Sequence, residues 1–202
     1  MSKIPATAAS GKNPAALLDD DDLLDLMRRD DVKAYRELVS RHINRGYAVA
    51  LRILKNQADA EDVTQDAFVK AWLIRHDWER GRAKFSTWLY RVVVNRCIDL
   101  TRAPKSAGLD DVDEPADDAD DAVTGIHRRQ IYGRLGDALD QLPAQQKAAV
   151  ILSYYEELSN QEVAEVMGAS VSAVESLLKR ARKGLREVLR HSEKDVRGAL
   201  SE

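Results

Sequence analysis

Apolar residues recur at intervals of three and four along most of this chain, and no stretch shows the convincing alternation of a strand. Between 59 and 75, Val63, Ala67, Ala71 and Ile74 form one stripe, with Phe68 and Trp72 alongside. Asp59 is the predicted N-cap of that helix, and Asp62 in its first turn complements the helix dipole. A further helix from about Ser86 to Thr101 gathers Trp88, Leu89, Val92, Val93, Cys97 and Leu100 on one face. Ahead of these, 23–29 and 32–54 carry Leu23, Leu26 and Met27, then Tyr35, Leu38, Val39, Ile43, Tyr47 and Leu51. About four helices of this kind predict a compact all-α unit.

A second helical unit follows, and its most specific stretch is 159–189. Ser159 and Glu162 have the spacing of a capping box that opens a short helix through Met167. Gly168 then supplies the positive φ of a tight stop. The next helix starts near Ser170 or Ser172, since Ser172 and Glu175 have capping-box spacing as well. Ala164 is small where the two helices approach, and Val163, Met167, Val174 and Leu177 fill the wedge. This is the spacing of a helix-turn-helix. Without its apolar positions the second helix presents Ser172, Glu175, Ser176, Lys179, Arg180 and Lys183. Its basic groups cluster, and its capping serines leave backbone N–H groups where a phosphate can sit. An ordinary αα-hairpin is the plain alternative; the clustered charge favours DNA.

Charge sharpens the division. The net charge of −3 hides 14 Lys/Arg against 8 Asp/Glu in 36–105, a net of +6, and 6 basic against 1 acidic in 179–190, a net of +5. Residues 106–123 hold 8 acids and no base, and with Gly108 and Pro115 read as a solvated linker. Residues 1–18, rich in Ala, Ser and Pro, read as a tail. The chain therefore divides into 1–18, a unit over 19–105, the linker 106–123, a unit over 124–195 and a tail over 196–202. With 44% hydrophobic and 32% charged residues, collagen-like, mucin-like and wholly disordered readings are excluded. No apolar run approaches the roughly 18 residues that span a bilayer. The absence of an apolar leader and the single Cys97 fit a cytoplasmic protein.

Candidate chemistry is that of binding. The segment between Ile74 and Trp88 interleaves Arg80, Arg82 and Lys84 with Trp78 and Phe85, which suits single-stranded nucleic acid: bases stack on rings while phosphates meet the cations. The alternative is that both rings are core and the cations a solvated loop. His42, His76, His127 and His191 show no metal spacing among themselves or with Cys97, so no metal and no cofactor is expected. Cys97 on an apolar face reads as a small buried hydrophobe. No nucleophile motif, phosphate-binding glycine loop or dinucleotide fingerprint appears, so no enzyme is expected.

Together, DAEDVTQDAFVKAW followed by KFSTWLYRVVVNRCIDLTR resembles region 2 of bacterial sigma factors, and LPAQQKAAVILSYYEELSNQEVAEVMGASVSAVESLLKRARKGL resembles region 4. With only the acidic linker between them, the layout is that of the extracytoplasmic-function class. The resemblance implies an all-α protein of two small domains that binds core RNA polymerase through the β′ clamp helices and the β flap. It implies reading of promoter DNA, help in opening the −10 region, and restraint by an anti-sigma factor. By the family motif, Asp62, Gln65 and Asp66 match the clamp-helix patch; the bare residues read equally as a solvated acidic face. The −10 strand falls to Arg80, Arg82, Lys84, Phe85 and Trp88, with Asn95 and Arg96 at the upstream duplex edge, although Trp88 is open to a core role. The −35 element falls to Ser170, Ser172, Glu175, Ser176, Lys179, Arg180 and Lys183. Where primary sigma factors carry tandem aromatics as a melting wedge, this chain has Arg91-Val92, which implies weaker melting and greater dependence on a good promoter.

Three other functions compete with transcription initiation. A decoy that titrates an anti-sigma protein needs neither the basic loop at 80–84 nor the basic recognition helix, and this chain has both. A stand-alone helix-turn-helix regulator predicts DNA binding without polymerase and a sizeable apolar pocket. A small all-helical enzyme has no catalytic constellation to support it. The acidic linker points either along the nucleic-acid path of polymerase, as the resemblance implies, or to masking of the stripes at 80–84 and 179–190.

Overall fold

The computed structural model describes residues 14–81, 83–102 and 133–199, with side chains placed as far as Arg190. Among these residues there is no strand. After a short 3₁₀ turn, Pro14–Leu17, come helices α1 (Asp20–Met27), α2 (Val32–Leu54), α3 (Gln57–Leu73) and α4 (Phe85–Arg102). A second 3₁₀ turn, Arg75–Asp77, lies between α3 and α4. The C-terminal group comprises α5 over 133–140, α6 (Ala144–Val150) running into a π turn (Ile151–Tyr155), α7 (Asn160–Met167) and α8 (Val171–Ala199). The acidic linker lies outside the described residues.

Local chemistry sets the helix starts. The Asp19 carboxylate accepts from Asp22 N–H at 2.8 Å to open α1, and Asp31 accepts from Lys33 and Ala34 N–H at the start of α2. The sequence expectation for α3 needs correction. Asn56, not Asp59, is its N-cap, with the side-chain oxygen taking Asp59 N–H at 2.8 Å. The helix therefore begins two residues earlier, and Asp59 sits in its first turn, where a carboxylate still meets the dipole. Lys55 in the left-handed region (φ 54°) ends α2 immediately beforehand, so one turn closes one helix and caps the next.

Helix α4 is the central element. Its buried face, Phe85, Leu89, Tyr90, Val93, Val94, Cys97 and Ile98, meets Leu38, Val49, Ala50 and Ile53 of α2 and Val63, Ala67, Phe68 and Ala71 of α3. Cys97 is fully buried, and burial is the main reason its thiol pKa is pushed up to about 12. Ile43, expected on the apolar stripe of α2, lies at its exposed edge. In the C-terminal group, Leu139, Leu142, Ala148, Leu152, Val163, Val166, Val174, Leu178 and Ala181 continue the same core. Leu178, rather than Leu177, supplies the fully packed side chain of the helix-turn-helix wedge.

The two helical groups pack directly on each other. Lys147 of α6, almost fully buried, reaches across to donate to Ile53 O at 2.9 Å and to the Asp140 carboxylate at 2.6 Å. An ammonium at the C-terminal end of α2 complements its dipole, and the carboxylate compensates its burial. Arg52 stands on the same seam, its guanidinium 4.7 Å above the Tyr155 ring.

Candidate nucleic-acid interface

The helix-turn-helix is built as its spacing predicts. Ser159 and Glu162 close a reciprocal capping box: the Ser159 hydroxyl takes Glu162 N–H at 3.3 Å, and the Glu162 carboxylate takes Ser159 N–H at 3.0 Å. These bonds, with Lys84 3.2 Å away, hold the Glu162 carboxyl below its ordinary pKa. Gly168 has φ 62°, the left-handed conformation that ends α7. The ambiguity at the start of α8 resolves to Ser170, whose hydroxyl takes Ala173 N–H at 3.2 Å; Ser172 lies 3.1 Å from that hydroxyl.

Packing then orients α8. Val174, Leu178 and Ala181 turn inward, which leaves Ser172, Glu175, Ser176, Lys179, Arg180 and Lys183 exposed on the outer side. Arg180 Nε folds back on Ser176 O at 3.1 Å, and Lys183 stands 3.8 Å from Glu187. Both heads are far out in solvent and keep their reach. A groove of about 530 Å³ lined by Asn160, Glu175, Lys179, Arg182 and Arg186 runs along the same helix. Arg182 and Arg186 extend the basic stripe one turn at a time beyond the residues singled out in the sequence, and their i, i+4 spacing was the available signal.

On α3, Asp62, Gln65 and Asp66 are exposed while Val63, Thr64, Ala67 and Phe68 are buried, so the acidic residues form a face of their own. The sequence reading missed what continues it: Val69 is 56% and Leu73 68% exposed, at helical spacing from Asp66. Exposed aliphatic side chains beside a polar face are what a docking surface needs.

The loop and α4 are less simply arranged. Phe85, expected at the −10 strand, is instead buried, packed against His42, Phe68, Trp78 and Trp88. Trp88 is half-buried, stacked on Phe85 at 5.9 Å between centroids and set edge-on to Trp78 at 5.4 Å. Asn95 and Arg96 are exposed further along α4. Lys84 pairs with Glu162 of α7, and Arg80 with Asp22 and Asp25 of α1. Arg82 lies outside the described residues. The acids that reach the loop thus come from α1, the turn after it and α7. Helix α7 lies against one side of α4: Lys84, Thr87, Ser159, Gln161, Glu162 and Glu165 line a groove of about 390 Å³. Arg91, at the position of the absent wedge, reaches the turn at Gly168, where an added Cβ would stand 3.5 Å from its Nη2.

No group of three His, Cys, Asp or Glu that could hold a metal occurs among the described residues, and no described helix is long and apolar enough to cross a membrane.

Residues 38–106 match the family described as Sigma-70 region 2, and residues 132–185 match Sigma-70, region 4. The ECF RNA polymerase sigma factor SigE of Mycolicibacterium smegmatis is 32% identical over 172 residues, covering 82% of this chain and 66% of its own length. The ECF RNA polymerase sigma-E factor of Haemophilus influenzae is 32% identical over 181 residues, covering 83% of this chain and 94% of its own. Among solved structures, CnrH in complex with the cytosolic domain of CnrY superposes with a TM-score of 0.64 at 28% identity, covering 85% of this chain and 97% of that one. RpoE in complex with the anti-sigma factor NepR from Bartonella quintana gives 0.59 at 22% identity, covering 79% and 98%, a likeness of fold.

Proposed function

The chain belongs to the extracytoplasmic-function class of RNA polymerase sigma factors, and we propose that its exposed faces divide the work of a transcription initiation factor as follows. The α3 face, Asp62, Gln65 and Asp66 with Val69 and Leu73, docks on core RNA polymerase, polar groups setting register and the aliphatic pair supplying buried area. Helix α8 enters the major groove of the −35 element. Its outer residues from Ser172 to Lys183 meet base edges and phosphates, with Ser170 at its N-terminus. Lys84, Trp88, Asn95 and Arg96 take the −10 region, where a base leaves its stack at a cost of about a few kcal/mol and meets an aromatic edge. Phe85 holds Trp88 from below.

The observation that carries this reading is the order of two sigma regions, each with an exposed polar face for which packing has no use. Because α7 lies against α4, the −10 strand gains its site when the seam between the two helical groups parts. A partner that holds the seam closed keeps the chain inactive, and we assign that role to an anti-sigma factor. The protein acts in the cytoplasm, where its polymerase is, and contributes binding energy rather than bond chemistry.

Run-off transcription with purified core polymerase on genomic promoter fragments tests the assignment. Discrete transcripts that require the chain are expected. Core binding without any transcript would instead favour a decoy.

A further inference from the structure

The loop from Arg75 to Lys84 is fastened to α1 and the turn after it by every described basic side chain in its first half. Arg75 Nε donates to Asp30 at 2.6 Å, Nη1 donates to Trp72 O at 2.9 Å, and the guanidinium lies 4.4 Å over the Trp72 ring. His76 Nδ1 lies 3.0 Å from Arg28 O, and its Nε2 lies 3.6 Å from Asp30. Trp78 is buried against Phe85 and Trp88. Arg80 is the point fixed on α1 itself: Nη1 donates to Asp25 at 2.8 Å and Nη2 to Asp22 at 3.0 Å. One planar fork thus spans carboxylates three residues apart on α1, neighbours on its surface.

Helix α1 is a firm support for that fork. Leu23, Leu24 and Met27 are buried, and Asp20 is held by Arg41 at 3.1 Å and His42 at 2.6 Å. Immediately after Arg80, Gly81 turns the chain with φ 76°, and α4 opens at Phe85. Whatever fixes Arg80 therefore fixes where the loop stands on α1 just before that turn, beside Lys84 and Trp88, whose own places are set by α4. Exposed ion pairs add little to stability, so a guanidinium shared by two carboxylates at this point calls for a positional use.

We propose that Asp22 and Asp25 are positioning residues for −10 recognition, and that Arg80 acts on them rather than on a DNA phosphate. This rests on the −10 assignment made above. The fork holds the loop backbone against α1 so that it flanks the strand beside Lys84 and Trp88, and Arg80 offsets the charge of two acids that otherwise repel phosphate.

The competing role, a phosphate contact masked by α1, predicts effects of opposite sign. The test uses holoenzyme reconstituted with core polymerase on the fragment that the wild-type chain transcribes best, together with its single-base −10 variants. For a positioning fork, D22N/D25N and R80Q each slow open-complex formation about 10-fold or more, the scale of a misplaced contact. Each also flattens the preference among −10 variants, and the combined variant is no worse than either. R80K behaves like R80Q, because an ammonium keeps the charge but cannot fork two carboxylates. Affinity for core and for a −35 duplex stays at the wild-type value. The proposal is overturned if D22N/D25N speeds opening while R80Q slows it, or if R80K matches wild type. It is equally overturned if −10 preference is unchanged in D22N/D25N, whether or not the melting temperature falls. A wild-type chain that yields no transcript removes the −10 assignment itself, which separates the two failures.

Discussion

Tyr90 of α4 donates its hydroxyl to the Glu156 carboxylate at 2.5 Å, across the seam between the two helical groups. Tyr90 is buried, and Arg52 stands 4.0 Å from the other carboxylate oxygen. Burial foremost, then the bond to Glu156, raises the phenol above its ordinary pKa of 10.0. Together with Lys147 on Ile53 O, this contact makes the seam polar at its fastenings and apolar between them.

Removing the phenol hydroxyl is expected to loosen that seam. Tyr90→Phe leaves a carboxylate short of a donor, at a cost of about 1–3 kcal/mol in denaturant unfolding. The pH dependence carries a sign. A phenol whose folded pKa lies above its unfolded value stabilises the fold below pH 10, and that contribution is lost as pH rises beyond it. The wild-type chain should therefore lose stability more steeply above pH 10 than Tyr90→Phe does. Parallel alkaline limbs would show that the phenol titrates alike in the folded and unfolded chain.

Gly168→Ala isolates the turn of the helix-turn-helix. At φ 62° an alanine is strained, while its Cβ would stand 3.5 Å from Arg91, an ordinary contact. The cost is then conformational alone, about 1–2 kcal/mol. Gly168→Asn should cost less, since asparagine tolerates the left-handed region. Equal losses would point to crowding instead.

Docking on polymerase is tested by Gln65→Ala with Asp66→Ala, and separately by Leu73→Ser. None of these side chains is buried, so thermal unfolding should change by no more than about 0.5 kcal/mol. Affinity for core should fall in both variants. Unaltered affinity would reduce the face to a solvated one.

On α8, Arg180→Ala should cost about 1–3 kcal/mol with loss of discrimination at one −35 position, as for a bidentate base contact. Lys183→Ala should weaken binding evenly across sequences and lower the salt slope by about one unit. Titrating each variant against matched and mismatched duplexes at several salt concentrations separates the two. Even effects from both would make Arg180 a phosphate contact.

The sequence by itself determined the helices, the capping box at Ser159 and Glu162, the glycine stop, the outward face of α8 and the polar face of α3. Each is fixed by residues within a few positions of one another, through helical spacing, caps and φ, so a local pattern records it. Even its miss at α3 was local: Asn56 and Asp59 both suit a cap, and the turn ending α2 at Lys55 places the start at Asn56. What only the tertiary structure decided is which polar group meets which across the chain. Phe85 looked as available as Trp88 until α2 and α3 closed over it. Arg80 looked free until α1 brought Asp22 and Asp25 alongside, more than fifty residues away in sequence. Lys147 meets Ile53 O only because α2 ends against α6. Ion pairs and buried hydrogen bonds depend on separations of a few ångströms set by how whole helices pack, and no spacing rule along the chain carries that distance.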